Sequence, residues 1–158
     1  MKHAGAVGHG RNEATFRELS PDEVEVVLAR NEVARIAFAF HDRVDVEPIH
    51  YVYDDHWLYG RTSPGRKLHT LAHHSWIAVE VDEIEGPLDW RSVVIHGRFY
   101  IIDPDHSPEA EAEYRHALGV LRTVDPDALT EHDPVPFRNV LFRISMDEVR
   151  GREASTRS

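Results

Sequence analysis

Arg61, Thr62, Ser63, Pro64, Gly65, Arg66 and Lys67 follow one another without an acid between them. Three cations, two hydroxyls and a Pro-Gly pair suit the capture of one phosphoryl group. The cations supply charge-assisted hydrogen bonds, and the hydroxyls add neutral donors. The run Trp57-Leu58-Tyr59 before them reads as a strand, and "RKLHTLAHH" after it has helical spacing through Leu68, Leu71 and Ala72. A turn from strand to helix also exposes the helix's first N–H groups, which carry partial positive charge. The glycine-rich phosphate loop of nucleotide hydrolases and the dinucleotide fingerprint both need more glycines in fixed register, so one phosphate is expected rather than two. From spacing alone, a solvated turn paired with nearby carboxylates explains the same residues equally well.

Other chemistry-bearing residues are less specific. His69 and His73 are four apart on the expected helix, beside His74, but His-x-x-x-His without an adjacent Glu is a poor zinc signal, and a solvated helix face accounts for it; no metal is expected. Ser63 lacks a Gly-x-Ser-x-Gly context and is not read as a nucleophile. Asp82, Glu83, Glu85 and Asp89 do not have calcium-loop spacing and read as a solvated loop near the mouth of the site. Pro48 interrupts a strand, which places it at an edge, a bulge or the approach of a ligand. His50, two residues on, could donate to a ligand oxygen or be satisfied by its strand neighbours.

The elements that must hold these residues are legible around them. Ser20-Pro21 with Glu23 three residues after the cap predicts a helix over about 21–30, and Ser107-Pro108 begins a longer one with Tyr114, Ala117, Leu118 and Leu121 on one face. Six strands are read, in "VARIAFAF", "VDVEPIHYVY", "WLYG", "WIAVEVDEI", "RSVVIHGRFYII" and "FRNVLFRISM". Short connections and few helices favour a mainly β fold, a small antiparallel barrel closed or nearly so. One domain over residues 16–152 is expected, with loose tails at 1–15 and 153–158.

Composition narrows the function. Net charge −10 argues against a broad surface for nucleic acid or an anionic membrane, and no apolar run reaches the roughly 20 residues of a membrane span. With no cysteine there is no disulfide framework or thiolate metal site, and the first residues lack the apolar core of a signal peptide; a cytoplasmic location is expected.

A mononucleotide cofactor such as FMN, or a phosphorylated metabolite, would satisfy a one-phosphate turn on a small barrel. The stretches "EPIHYVYDDHWLYGRTSPGRKLHTL" and "VEVDEIEGPLDWRSVVIHGRF" resemble the pyridoxamine 5'-phosphate oxidase-like FMN-binding split-barrel proteins, and within them the branch that includes nitroimidazole-resistance reductases. The likeness runs from about Leu19 to Arg152. It implies a six-stranded antiparallel split β-barrel that forms a homodimer with two FMN molecules at its interface. It further implies that Thr62, Ser63, Arg66 and Lys67 hold the phosphate, with Arg61 a further cation of the turn. Pro48, Ile49 and His50 would line the isoalloxazine edge, with Trp90, Arg91, Ser92 and Val93 on its other side. Ser92 stands where the oxidase branch has a glutamine, and no tryptophan follows Trp90, so pyridoxamine phosphate oxidation itself is not expected.

The implied activity is electron transfer from a reduced nicotinamide donor to a small oxidised acceptor such as a nitro compound or quinone. Arg91, then Arg61, is the cation best suited to stabilise charge on a reduced flavin, and His50 is a weaker catalytic candidate. The alternatives are a non-catalytic module that stores or senses flavin or haem, and a deazaflavin-dependent enzyme on the same barrel.

Overall fold

The computed structural model describes residues 13–73 and 76–156. The first helix, α1 (Pro21–Arg30), starts where its sequence dictates. The Ser20 hydroxyl accepts from the Glu23 N–H at 3.2 Å, and the Glu23 carboxylate accepts from the Ser20 N–H at 3.0 Å. Arg17, above all, and then the Ser20 N–H hold the Glu23 carboxyl down at about 2. Val24, Val27 and Leu28 form the buried face of α1. Two more helices, α2 (Arg66–His73) and α3 (Pro108–Leu121), lie where periodicity placed them.

The strands are β1 (Thr15–Glu18), β2 (Val33–Phe40), β3 (Arg43–His50), β4 (Val52–Asp54), β5 (Trp57–Thr62), β6 (Trp76–Gly86), β7 (Asp89–Ile102), β8 (Val140–Ser145) and β9 (Glu148–Ser155). They pair antiparallel in the order β3-β2-β6-β7-β8-β5-β4, with β9 bridging β7 and β1. This is the mainly β architecture expected, with nine strands rather than six. The run read as one strand through Tyr51 divides into β3 and β4. Tyr51 is buried at the break, donates its hydroxyl to the Leu28 carbonyl at 2.8 Å and donates its N–H to the Glu32 carbonyl.

The supposed C-terminal tail also needs correction. Residues 153–155 belong to β9, paired with β7 and with β1, whose Thr15 opposes Ser155. Residues 1–12 and 157–158 of the two expected tails, together with His74, lie outside the described residues. Asp82 to Asp89 form the end of a hairpin rather than a loose loop, because β6 pairs with β7 as far as Gly86 opposite Asp89.

The long strand β7 joins the two halves of the sheet. It pairs with β9 through His96 and with β8 from Phe99, and the exchange of partner occurs around Gly97. A Cβ on Gly97 would lie 1.8 Å from the Ser145 carbonyl oxygen, so only glycine admits this approach. The Ser145 hydroxyl accepts from the Arg98 N–H at 2.9 Å and donates to Asp147 at 3.0 Å, which pins the exchange. Ile36, Leu58, Val79, Val93 and Ile95 fill the main core, and α3 seals a second cluster through Ala117 and Leu121 against Tyr59 and Leu141. No helix among the described residues is long and apolar enough to cross a membrane.

Candidate functional site

β5 delivers Arg61 and Thr62 to the rim of the barrel, and α2 starts four residues later. Thr62 opposes Val140 at the last rung with β8, while Gly60 and Arg61 continue past β4, whose Val52 opposes Tyr59. The turn therefore emerges between the exit of β3 on one flank and the entrance to β8 on the other. A cleft of about 620 Å³ crosses this end. Pro48, Ile49 and His50, Thr62, Ser63 and Lys67, and Val135 and Arg138 are among the residues that line it. Phe99 and Phe142, stacked at 4.7 Å, contribute to its floor. The size falls within the range of small-molecule sites, and mixed apolar and cationic walls suit a ligand with a ring and a phosphate.

The turn fits a phosphate by its backbone as well as by its side chains. The first hydrogen bond of α2 runs from the His69 N–H to the Gly65 carbonyl at 3.1 Å, so the N–H groups of Arg66, Lys67 and Leu68 precede the helical ladder. No acidic residue lies in this first turn. Gly65 has no left-handed φ, and a Cβ there would meet nothing within 4 Å. Neither backbone conformation nor a protein neighbour demands glycine at this position. Ser63 and Arg66 are exposed, Thr62 is half-buried, and Lys67 is half-buried with its ammonium ion-paired to Glu47 of β3.

Arg61 departs from the reading of the sequence. Its guanidinium turns away from the turn and is held by Asp133, at 2.5 and 3.1 Å, and by Asp125 at 2.9 Å, with only 10% of the side chain exposed. Asp133 is buried and also accepts the N–H groups of Leu129 and Val135. Arg61, above all, and these backbone donors hold its carboxyl far below the usual carboxylate range. Arg61 therefore anchors the loop between α3 and β8 and is not a spare cation of the turn.

Trp90, Arg91, Ser92 and Val93 do not line the cleft. They lie near the start of β7, where Trp90 and Arg91 border a second, smaller hollow of about 290 Å³ with Glu153 and Arg30. Arg91 pairs with Glu153 at 2.9 Å and approaches Glu23 at 3.7 Å. Val93 is fully buried in the core, so its side chain is excluded from any ligand. Ser92 is half-buried, opposite Asp82 on β6 and Arg152 on β9. Within one chain the two groups of expected flavin-contacting residues are thus separate; the structure brings Thr62, Ser63 and Lys67 of the turn together with the Pro48–His50 stretch, while Arg66 is exposed and does not line the cleft.

Sequence reasoning missed Arg138 and Val135. Both come from a loop rich in proline and acid that has no periodicity, and the only available signal was a lone cation two residues ahead of a strand.

Residues 20–153 match the family model described as pyridoxamine 5'-phosphate oxidase. The structure is similar to that of a FAD-binding protein of Mesorhizobium loti, with a TM-score of 0.71 and 33% identity, over 89% of this chain and 99% of that one. An uncharacterised protein of Rhizobium meliloti is 27% identical over 148 residues, 87% of this chain and 95% of its own length. A putative 5-nitroimidazole antibiotic resistance protein of Bacteroides thetaiotaomicron shares the fold, with a TM-score of 0.67 at 18% identity over 90% of this chain and 89% of that one. The chain, which carries the strand exchange at Gly97 and the cationic turn at the barrel rim, belongs to the pyridoxamine 5'-phosphate oxidase family.

Proposed function

We propose that the protein is a flavin-dependent oxidoreductase that holds the FMN moiety of its cofactor in the barrel-rim cleft. The observation that carries this reading is the continuity of the cleft, which joins the cationic turn to the apolar Pro48–Ile49 wall within one cavity. The likeness to a FAD-binding protein at 33% identity over nearly the whole chain supports it.

Thr62 and Ser63 supply hydroxyl donors to the phosphate, Lys67 and Arg66 supply charge, and the first N–H groups of α2 complete the cradle. Pro48 and Ile49 exclude water from one edge of the ring, and His50, exposed at the end of that wall, offers an imidazole donor there. A bound flavin supplies hydride and electron transfer, which no side chain here provides. Arg91 and Trp90 reach this cleft only from a second copy of the chain, so the reading includes a homodimer with the site between subunits. A guanidinium held there favours negative charge on the ring. A reduced nicotinamide is the proposed donor, and small nitro compounds or quinones the acceptors.

The test is an absorption spectrum of freshly purified protein, followed by anaerobic addition of NADH or NADPH. A flavin spectrum that the donor bleaches and a quinone restores is the expected result. A flavin that no donor reduces would identify a binding module, and a bound deazaflavin or haem would displace the reading altogether.

A further inference from the structure

We propose that Glu32 makes the cleft selective for positively charged acceptors, so that the substrate class is a small aromatic cation, such as a pyridinium or a ring that bears an ammonium group; this rests on the flavin reading above. Glu32 follows Asn31, the C-cap of α1. Its carbonyl accepts the Tyr51 N–H at 3.0 Å, and the next residue, Val33, opposes His50 in the ladder between β2 and β3. Glu32 is thus the immediate neighbour of the Pro48–His50 stretch, and it lines the same cleft. Its side chain is half-buried, and the carboxylate has neither an ion pair nor a hydrogen bond among the described residues. A carboxylate in a cavity wall with no protein partner keeps its full acceptor capacity for a ligand.

The groups around Glu32 do not neutralise it. Arg30, the cation in the last turn of α1, is held by Glu83, and the Tyr51 hydroxyl is spent on the Leu28 carbonyl. The C-terminal end of α1 itself carries partial negative charge, which adds to that of the carboxylate. Of the cations that line the cleft, Arg61 is held by Asp133 and Asp125 and Lys67 by Glu47, while Arg138, on the loop before β8, makes no ion pair with Glu32. A phosphate on the turn takes up the Lys67 charge and leaves the cleft no more positive. The net charge of −10 acts in the same direction at longer range, drawing cations to the cleft and slowing anions. Val33, which is exposed, and Pro48 give a ring an apolar seat beside the carboxylate. A neutral quinone gains only that seat, and an anionic ring is repelled from it.

The decisive measurement is binding without turnover. Benzyltrimethylammonium, benzyl alcohol and benzoate are titrated calorimetrically into the full-length protein as purified, for wild type, Glu32→Gln and Glu32→Asp. Wild type should bind the ammonium roughly tenfold more tightly than the alcohol, and benzoate more weakly than either. Glu32→Gln should remove about tenfold of ammonium affinity, the range of one partly buried charge pair, and leave the alcohol within about twofold. Glu32→Asp should keep part of the preference. In turnover, the kcat/KM ratio of 4-nitrobenzyltrimethylammonium to 4-nitrobenzoate should fall by a similar factor in Glu32→Gln, a comparison in which the acceptors' own reduction potentials cancel. A wild type without preference for the cation, or a preference that Glu32→Gln leaves intact, overturns the proposal and leaves the flavin site standing. Folded wild type that shows the Glu32-dependent preference but neither carries nor takes up a flavin keeps the cation site and removes the flavin reading alone. Because the Glu32 side chain has no partner among the described residues, the variants should keep the wild-type melting temperature, which is checked alongside.

Discussion

Lys67 and Arg61 are six residues apart and of the same charge, and the structure gives them opposite work. Lys67 pairs at the rim with Glu47, both side chains half-exposed, a pair of little net stability that a phosphate can displace. Replacing Lys67 and Arg66 together with Ala should raise the flavin Kd about 100-fold, roughly 3 kcal/mol, with little change in melting temperature. Glu47→Gln should instead tighten binding a few-fold by freeing the ammonium, and equilibrium quenching reads both. Arg61→Met breaks a buried pair and strands Asp133, so it should lower Tm by roughly 10 °C while the surviving folded protein keeps its flavin affinity. This division of labour was hidden from the sequence because Asp133 lies 72 residues away in a loop without pattern. Residue type made the turn legible as a cluster of cations, and only the structure shows that one of them, Arg61, is spent on the Asp133 and Asp125 carboxylates.

Glu80, on the face of β6 turned away from the core, is the second residue whose state matters. One of its carboxylate oxygens is buried with no hydrogen-bond partner, and burial first, then Asp82, pushes its pKa up to about 7. A carboxyl with a raised folded pKa binds its proton more tightly in the native than in the unfolded chain. Stability from this group is therefore complete below the unfolded value of about 4.5 and declines as pH rises towards 7. Glu80→Gln should flatten this dependence, raising Tm at pH 8 by more than at pH 5. Equal shifts at the two pH values in thermal melts would count against it.

At the level of elements, Gly97 within β7 and Gly65 in the turn before α2 separate fold from function. Gly97→Ala would drive a Cβ into the Ser145 carbonyl, a contact between backbones that no rotamer relieves, and should destabilise by about 3 kcal/mol, seen as a Tm loss of roughly 6–10 °C. Gly65→Ala meets open space at an ordinary φ, so it should leave stability unchanged or raise it by about 0.5 kcal/mol. It should nonetheless weaken flavin binding, because the methyl occupies the phosphate's approach. Helices were the legible elements: the Ser20 and Ser107 hydroxyls cap α1 and α3, and a proline follows each at the first helical position, a local signal needing no tertiary context. The strand β9 was not legible, because the residues it buries are Gly151 and Ala154, and its exposed positions carry Glu148, Arg150 and Arg152. Likewise every residue of β1 is exposed. Such strands are specified by the ladders that receive them, not by alternation of their own.

For the whole molecule, the separation of the two residue groups sets the final test. The turn and Pro48–His50 share one cavity, whereas Trp90 and Arg91 lie beside Glu153 and Arg30 at another. If two copies build each site, the turn of one subunit must work with Arg91 of the other. A variant carrying Lys67→Ala and Arg66→Ala loses every site as a homodimer, and so does one carrying Arg91→Ala. When the two are unfolded and refolded together in equal amounts, random pairing makes half the dimers mixed, and each mixed dimer has one site with both parts intact. About one quarter of wild-type high-affinity flavin sites should therefore return, countable by stoichiometric titration. Recovery near that fraction requires a shared site, because no rearrangement within a single chain can repair either variant. Mixed dimers that form, as a tag on one variant would show, and still bind no flavin would place Arg91 outside the site and leave its pairing with Glu153 and Glu23 as its whole role.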